Sequence, residues 1–258
     1  MKLYHYTKLT NIEKIVKPDK VDLMMTYYSK YKESDYLWIR ERGKRLVKEL
    51  CEEYKYEFDP DYLAHAPYII SFCKSSDSDY MWNTFGDGGE GVVLIISEER
   101  LSQETSLIDN CSMIVPCMYV SPKSDDDIIK KTIKKISSST YLNNCPDDDR
   151  LMFSIMGVLQ NKYSDELEIR YVQIEKTVFM FNCIGNSLQI KDYEVPKEKW
   201  NKIVSFPNNI IEGIILGRNT DQDDLEYCRN YMAGCGYNPN SVIRIQEFNN
   251  NQDPSHGV

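Results

Sequence analysis

Two short alternations of polar and apolar residues, far apart along the chain, constrain the fold most. Leu3-Tyr4-His5-Tyr6-Thr7 stands at the start, and Glu166-Leu167-Glu168-Ile169-Arg170 stands in the second half. Each reads as a strand whose alternate side chains share one face, so distant segments must meet in one sheet. The first strand offers His5 between two tyrosines. The second sets Glu166, Glu168 and Arg170 side by side. Like charges held together on a β-face repel, so a sheet gains little from such a pair of glutamates. A substrate hydroxyl or a cation would explain the arrangement.

The rest of the chain alternates helix and strand signals irregularly, over 258 residues of which 41% are hydrophobic. That length and apolar content suit one α+β domain over 1–248, with a helical insertion about 34–58 and a polar tail over 249–258. After the first strand, Thr10-Asn11-Ile12-Glu13 fits a capping box and Pro18 closes the short helix. Strands are expected at Val21–Met24, Tyr68–Cys73, Met113–Val120, Glu166–Ile174, Val178–Phe181, Ile210–Leu216 and Val242–Gln246. Val92–Ile96 is continuously apolar and reads as a central strand. Helices are expected over Tyr36–Tyr54, after Ser124, over Asp147–Gln160 and from Thr220. The central sheet is expected to be mixed or antiparallel, with helices inserted between its strands.

Charge narrows the function classes. A net charge of −9 and a pI near 5.0 argue against an extended nonspecific grip on nucleic acid. Lys130, Lys131, Lys134 and Lys135 form a local basic cluster that reads as a solvated helix face. Asp125–Asp127 and Asp147–Asp149 precede expected helices, where carboxylates satisfy free N–H groups, so capping is preferred over metal binding. The eight cysteines form no Cys-x-x-Cys pair. Free thiols, the absence of a signal-like start and the absence of a long apolar run give the expectation of a cytoplasmic protein with no metal site. Phe85 to Gly91 carries four glycines but lacks both the P-loop and the dinucleotide spacing, and reads as a turn.

Several residues stand out as binding candidates, each with a structural alternative. His5 can be a hydrogen-bonded strand residue or can meet a ribose hydroxyl, while a neighbouring tyrosine can stack on a flat heterocycle. Ser71, in Ser71-Phe72-Cys73, can be ordinary strand content or one wall of the same cleft. Tyr80-Met81-Trp82 supplies aromatic surface beside it or packs in the core. Arg170 can tie Glu166 and Glu168 into an ion-pair ladder. Alternatively, one Glu anchors a ribose and stabilises a developing oxocarbenium ion while the other deprotonates an acceptor.

Taken together, Leu3–Thr7, Ser71–Cys73, Met81-Trp82 with Gly86–Gly91, Glu166–Arg170 and Ile211–Gly217 resemble a widespread bacterial family of uncharacterised proteins. That family has an Asn-Asp-Pro-Phe-Glu segment after its second strand, where this chain has Thr26-Tyr27-Tyr28-Ser29-Lys30. The three-part arrangement is also similar to the ADP-ribosyltransferase signature. The resemblance implies an ADP-ribosyltransferase-like fold and NAD as substrate. It implies that His5 binds the adenosine-side ribose, Thr7 lies near the nicotinamide amide, and Ser71 supports the catalytic Glu168. Glu166 helps activate a protein or nucleic-acid acceptor, and Tyr6 and Arg170 complete the NAD-binding set. Such enzymes often serve as toxins or phage-defence effectors. The competing expectation is a non-catalytic module that binds a nucleotide or partner, in which Glu166, Glu168 and Arg170 are structural.

Overall fold

The chain folds as α+β around a mostly antiparallel sheet that divides along one edge of a single strand. A computed structural model describes residues 1–27, 37–56, 66–107, 112–143, 145, 147–175, 182–184, 187–189 and 200–252. In chain order the elements begin β1 (Lys2–Thr7), α1 (Ile12–Ile15), β2 (Lys20–Tyr27), α2 (Leu37–Tyr54), β3 (Ala66–Cys73) and α3 (Asp79–Thr84). There follow β4 (Val92–Ser97), α4 (Glu98–Leu107), β5 (Ser112–Pro116), β6 (Met118–Val120), α5 (Asp126–Ser137), α6 (Asp147–Ile155) and β7 (Val158–Gln160). The remainder is β8 (Glu168–Glu175), β9 (Asn182–Ile184), β10 (Ser187–Gln189), β11 (Asn201–Pro207), β12 (Ile211–Leu216), α7 (Gln222–Gly234), β13 (Val242–Arg244) and α8 (Ile245–Gln252).

β3 is the branch point. β8 runs along one whole edge of it, from Ala66↔Glu175 to Cys73↔Glu168. β2 and β1 share the other edge: β2 pairs at Tyr68 and Ile69, and β1 joins at Tyr4↔Cys73. Among the described residues, no strand partner stands on that edge at Ile70, Ser71 or Phe72. The sheet therefore opens into two leaves, β11-β2-β3-β8-β5 and β1-β4-β12-β13. As its apolar run predicts, β4 is buried throughout, held between β1 and β12.

The main core lies on the face carrying Leu3, Phe72, Leu94 and Ile214. A second cluster forms where α2 lays Leu46, Val47, Leu50 and Cys51 against Ile129, Ile133 and Ile136 of α5. Asp125 caps α5 by accepting from the Ile128 N–H, as the acidic run predicts. The lysines of α5 do not form an unbroken basic face. Lys130 pairs with Glu49 at 2.5 Å and Lys134 with Glu53 at 2.8 Å. Arg42 and Arg45 each reach Asp126 at 2.7 Å from the other side.

Several boundaries differ from the sequence expectations. The strand expected over Met113–Val120 is two, because β5 joins the main sheet while β6 pairs in parallel with β7. The helix expected to reach Gln160 ends at Ile155, and Gly157 lets the backbone pass the Pro116 carbonyl oxygen where a Cβ would collide. The Asn11 side chain caps no helix N–H and instead donates to the Thr7 hydroxyl at 3.1 Å. The last helix, expected from Thr220, starts at Gln222 behind a capping box of Asp221 and Asp224. Past Arg244 the chain turns helical, and α8 includes Asn249–Gln252 from the segment read as a tail. The strand expected at Val178–Phe181, His65, Cys111, His256 and Tyr28–Lys30 lie outside the described residues.

Candidate functional site

Where β1 and β2 part, a cavity of about 450 Å³ opens, lined by His5, Ser71, Glu166 and Glu168 together with aromatic and apolar groups. That volume falls within the range of small-molecule pockets, roughly 300–1,000 Å³. Its lining comes from both sides of the sheet. Register pairs Tyr4 with Cys73, Cys73 with Glu168 and Ser71 with Arg170, so these residues share one face with Tyr6. His5 alternates onto the other face, beside Leu3, and its ring meets Phe72 edge-on with centroids 5.9 Å apart. A continuous sheet would keep His5 and Glu168 apart. The divergence of the leaves lets both reach one opening.

The same divergence gives His5 its local role. The Ser71 carbonyl faces the unpaired edge of β3, and His5 Nδ1 stands 3.4 Å from it. Burial holds the imidazole below its ordinary pKa of 6.5, with the Ser71 contact opposing this in part. A neutral ring that donates from Nδ1 keeps Nε2 as an acceptor.

Glu168 is the most constrained group. Ser71 donates its hydroxyl to Oε1, while Arg170 donates from Nε to Oε1 at 2.7 Å and from a terminal nitrogen to Oε2 at 3.1 Å. The third nitrogen of Arg170 donates to the Met156 carbonyl at 2.6 Å. The Glu168 N–H donates to the Tyr119 hydroxyl at 2.7 Å. Glu168 is 4% exposed and Arg170 1%, so the pair is removed from water and satisfied by geometry. A carboxylate has about four acceptor sites, and these contacts leave capacity for a ligand hydroxyl.

Glu166 does not share that strand face, contrary to the sequence expectation. It closes a 3-10 turn over Asn161–Glu166, and Leu167 then takes a left-handed φ of 45° before β8 begins at Glu168. The kink places Glu166 half-buried in the cavity lining rather than stacked beside Glu168.

The remaining candidates divide. Tyr6 lines the cavity, but its hydroxyl donates to the Ser75 carbonyl at 2.9 Å and its ring meets Trp82 edge-on at 5.1 Å. It anchors the segment after β3 to β1. Thr7 is buried, accepts from Asn11 and does not line the cavity; nor does Arg170. Trp82 is core, its indole N–H donating to the Ser76 carbonyl at 3.1 Å, whereas Tyr80 and Phe85 line the opening and stay exposed. Sequence reasoning passes over Met24, Thr26 and Tyr163, which also line it. An apolar residue at an outward position of β2, Met24, is the signal that could have found this wall. The glycine turn sets the wall's far support, since Gly217 donates to the Gly91 carbonyl and Asn219 to that of Gly89.

Among the described residues there is no group of three or more His, Cys, Asp or Glu side chains placed to hold a metal ion, and no helix is long and apolar enough to cross a membrane. Cys51, Cys73, Cys117, Cys145, Cys228 and Cys235 are buried free thiols. No protein-family model matches the chain, and comparison with curated proteins and with solved structures finds no match.

Proposed function

We propose that the cleft between the two leaves binds NAD and transfers its ADP-ribosyl group to a protein or nucleic-acid acceptor, on an ADP-ribosyltransferase-like fold. The observation that carries this reading is the Ser71–Glu168 hydrogen bond across β3 and β8, in the wall of a cavity that also receives His5. The reaction breaks the bond between the ribose anomeric carbon and the nicotinamide nitrogen. The electron pair leaves with nicotinamide, which becomes neutral, and positive charge builds on the sugar. Glu168 opposes that charge as it grows, and its partners hold it in place beforehand, so little reorganisation is needed. An acceptor lone pair then forms the new bond, and Glu166 takes the acceptor's proton. His5 accepts a ribose hydroxyl through Nε2 and grips rather than reacts.

Incubation with NAD labelled in the adenylate portion, together with candidate acceptors, tests this. Wild-type protein should release nicotinamide and label an acceptor. Glu168→Gln should lose at least a hundredfold in rate while keeping NAD affinity within a few-fold, and His5→Ala should mainly weaken binding. Absence of both nicotinamide release and NAD binding would sink the proposal.

A second reading has its own observation. Arg170 already satisfies both oxygens of Glu168 inside a buried pair, which is the arrangement of a structural ion pair. In that reading the cleft binds a nucleotide or partner without turnover. NAD binding with no nicotinamide release would favour it.

A further inference from the structure

We infer that Tyr119 is a positioning residue for Glu168: its hydroxyl completes the hydrogen-bond ladder at the one residue of β8 that the chemistry uses, and so fixes where the carboxylate stands. The inference rests on reading Glu168 as the group that meets the ribose. It assigns part of the site to β6, which contributes nothing to the described lining of the cavity.

Register explains why Glu168 needs such a partner. The Lys74 N–H donates to the Leu167 carbonyl at 3.1 Å, so Leu167 turns its peptide groups towards β3 and Glu168 turns its own towards β5. β5 pairs with β8 as far as Pro116↔Ile169. One more residue would set Cys117 opposite Glu168. Instead the Met118 N–H donates to the Gly157 carbonyl at 2.8 Å, and the chain leaves β8 to pair as β6 with β7. The Glu168 N–H thus faces an edge that the neighbouring strand has left. The Tyr119 hydroxyl reaches back from β6 and accepts it at 2.7 Å. A side chain closes the ladder in place of a strand carbonyl.

The place of this contact gives it weight. Glu168 is the first residue of β8 and follows directly on the left-handed Leu167. A strand end at a kink is where the backbone is freest to shift. Ser71 and Arg170 fix the carboxylate oxygens, whereas Tyr119 fixes the peptide from which the side chain springs. Burial holds the Tyr119 phenol well above its ordinary pKa of 10, so it stays neutral and brings no second negative charge beside Glu168. β6 also lies against the 3-10 turn over Asn161–Glu166 that leads into β8. At a reacting centre, a misplacement of ~1 Å can cost about a hundredfold in rate.

Nicotinamide release from NAD, resolved into kcat and KM, tests the assignment. Tyr119→Phe keeps the ring and removes the acceptor oxygen. Its kcat should fall by about ten- to a hundredfold with KM within about twofold, since the cavity wall is untouched. Tyr119→Leu removes the ring packing as well, and should lose more stability yet no more kcat. In a Glu168→Gln background, Tyr119→Phe should cost less than about twofold further, because the two residues act as one unit. Amide exchange followed by NMR should be faster at Glu168 in Tyr119→Phe and unchanged at Arg170, inside the ladder. An unchanged kcat or an unchanged Glu168 amide in Tyr119→Phe would overturn the inference. So would a kcat loss that scales with stability across the two variants, or a Tyr119→Phe protein that fails to fold, since the role is then structural. No release by the wild-type protein removes the transferase reading and this inference with it. Release that Tyr119→Phe retains in full removes this inference alone.

Discussion

Arg170 closes on Glu168 from two positions further along β8, meeting one carboxylate oxygen at 2.7 Å and the other at 3.1 Å with both side chains almost wholly buried. Alternate residues of a strand point the same way, so the pair needs no long-range folding event to find itself. What burial adds is dependence: each charge is tolerable only while the other is present.

Arg170→Met keeps much of the volume and leaves Glu168 buried without its countercharge. Urea unfolding should show a loss of about 3–5 kcal/mol. Adding Glu168→Leu to that variant should recover most of it, because the orphaned charge is then removed. A single-variant loss under about 1 kcal/mol would mean that water or another group takes over.

The His5 imidazole gives stability a pH dependence of definite sign. Its folded pKa lies below the unfolded value of 6.5, so the unfolded chain binds the extra proton first as pH falls. The contribution is fully present above pH 6.5 and is lost as pH drops through the folded pKa. Thermal or urea midpoints measured from pH 7.5 to 5 should fall less steeply for His5→Gln than for wild type. Parallel curves would remove His5 as a source of the dependence.

Glycine substitutions should separate two kinds of position. A Cβ at Gly217 would run into the Gly89 carbonyl oxygen and the Trp82 ring, and Gly217→Ala should cost several kcal/mol or prevent folding. Gly234 ends α7 with open space around it and ordinary φ, so Gly234→Ala should raise stability by about 0.5–1 kcal/mol. Chemical denaturation of both checks the contrast.

Thiol titration in denaturant without reductant should count all eight cysteines of the sequence as free. Six of them are buried free thiols, and burial pushes the Cys228 thiol up to about 12, which makes it unreactive in the folded state. Those six should therefore react slowly in native protein before denaturant is added. A stable deficit of two in denaturant would reveal a disulfide between Cys111 and Cys183.

Local chemistry made much of this protein legible from sequence. The apolar run at Val92–Ile96 had to be a buried strand, Asp125 had to cap the helix that follows it, and alternation put Glu168 and Arg170 on one face. These outcomes depend on residues within a few positions of one another. Tertiary structure decided the rest. The left-handed turn at Leu167 took Glu166 off the strand, a choice between two backbone conformations that alternation alone cannot make. The division of β3's edge between β1 and β2 opened the cavity and brought His5 and Glu168, from opposite faces, to one site. That division is set by how distant strands compete for the same row of backbone hydrogen-bonding groups, and no single segment of the sequence contains the competition.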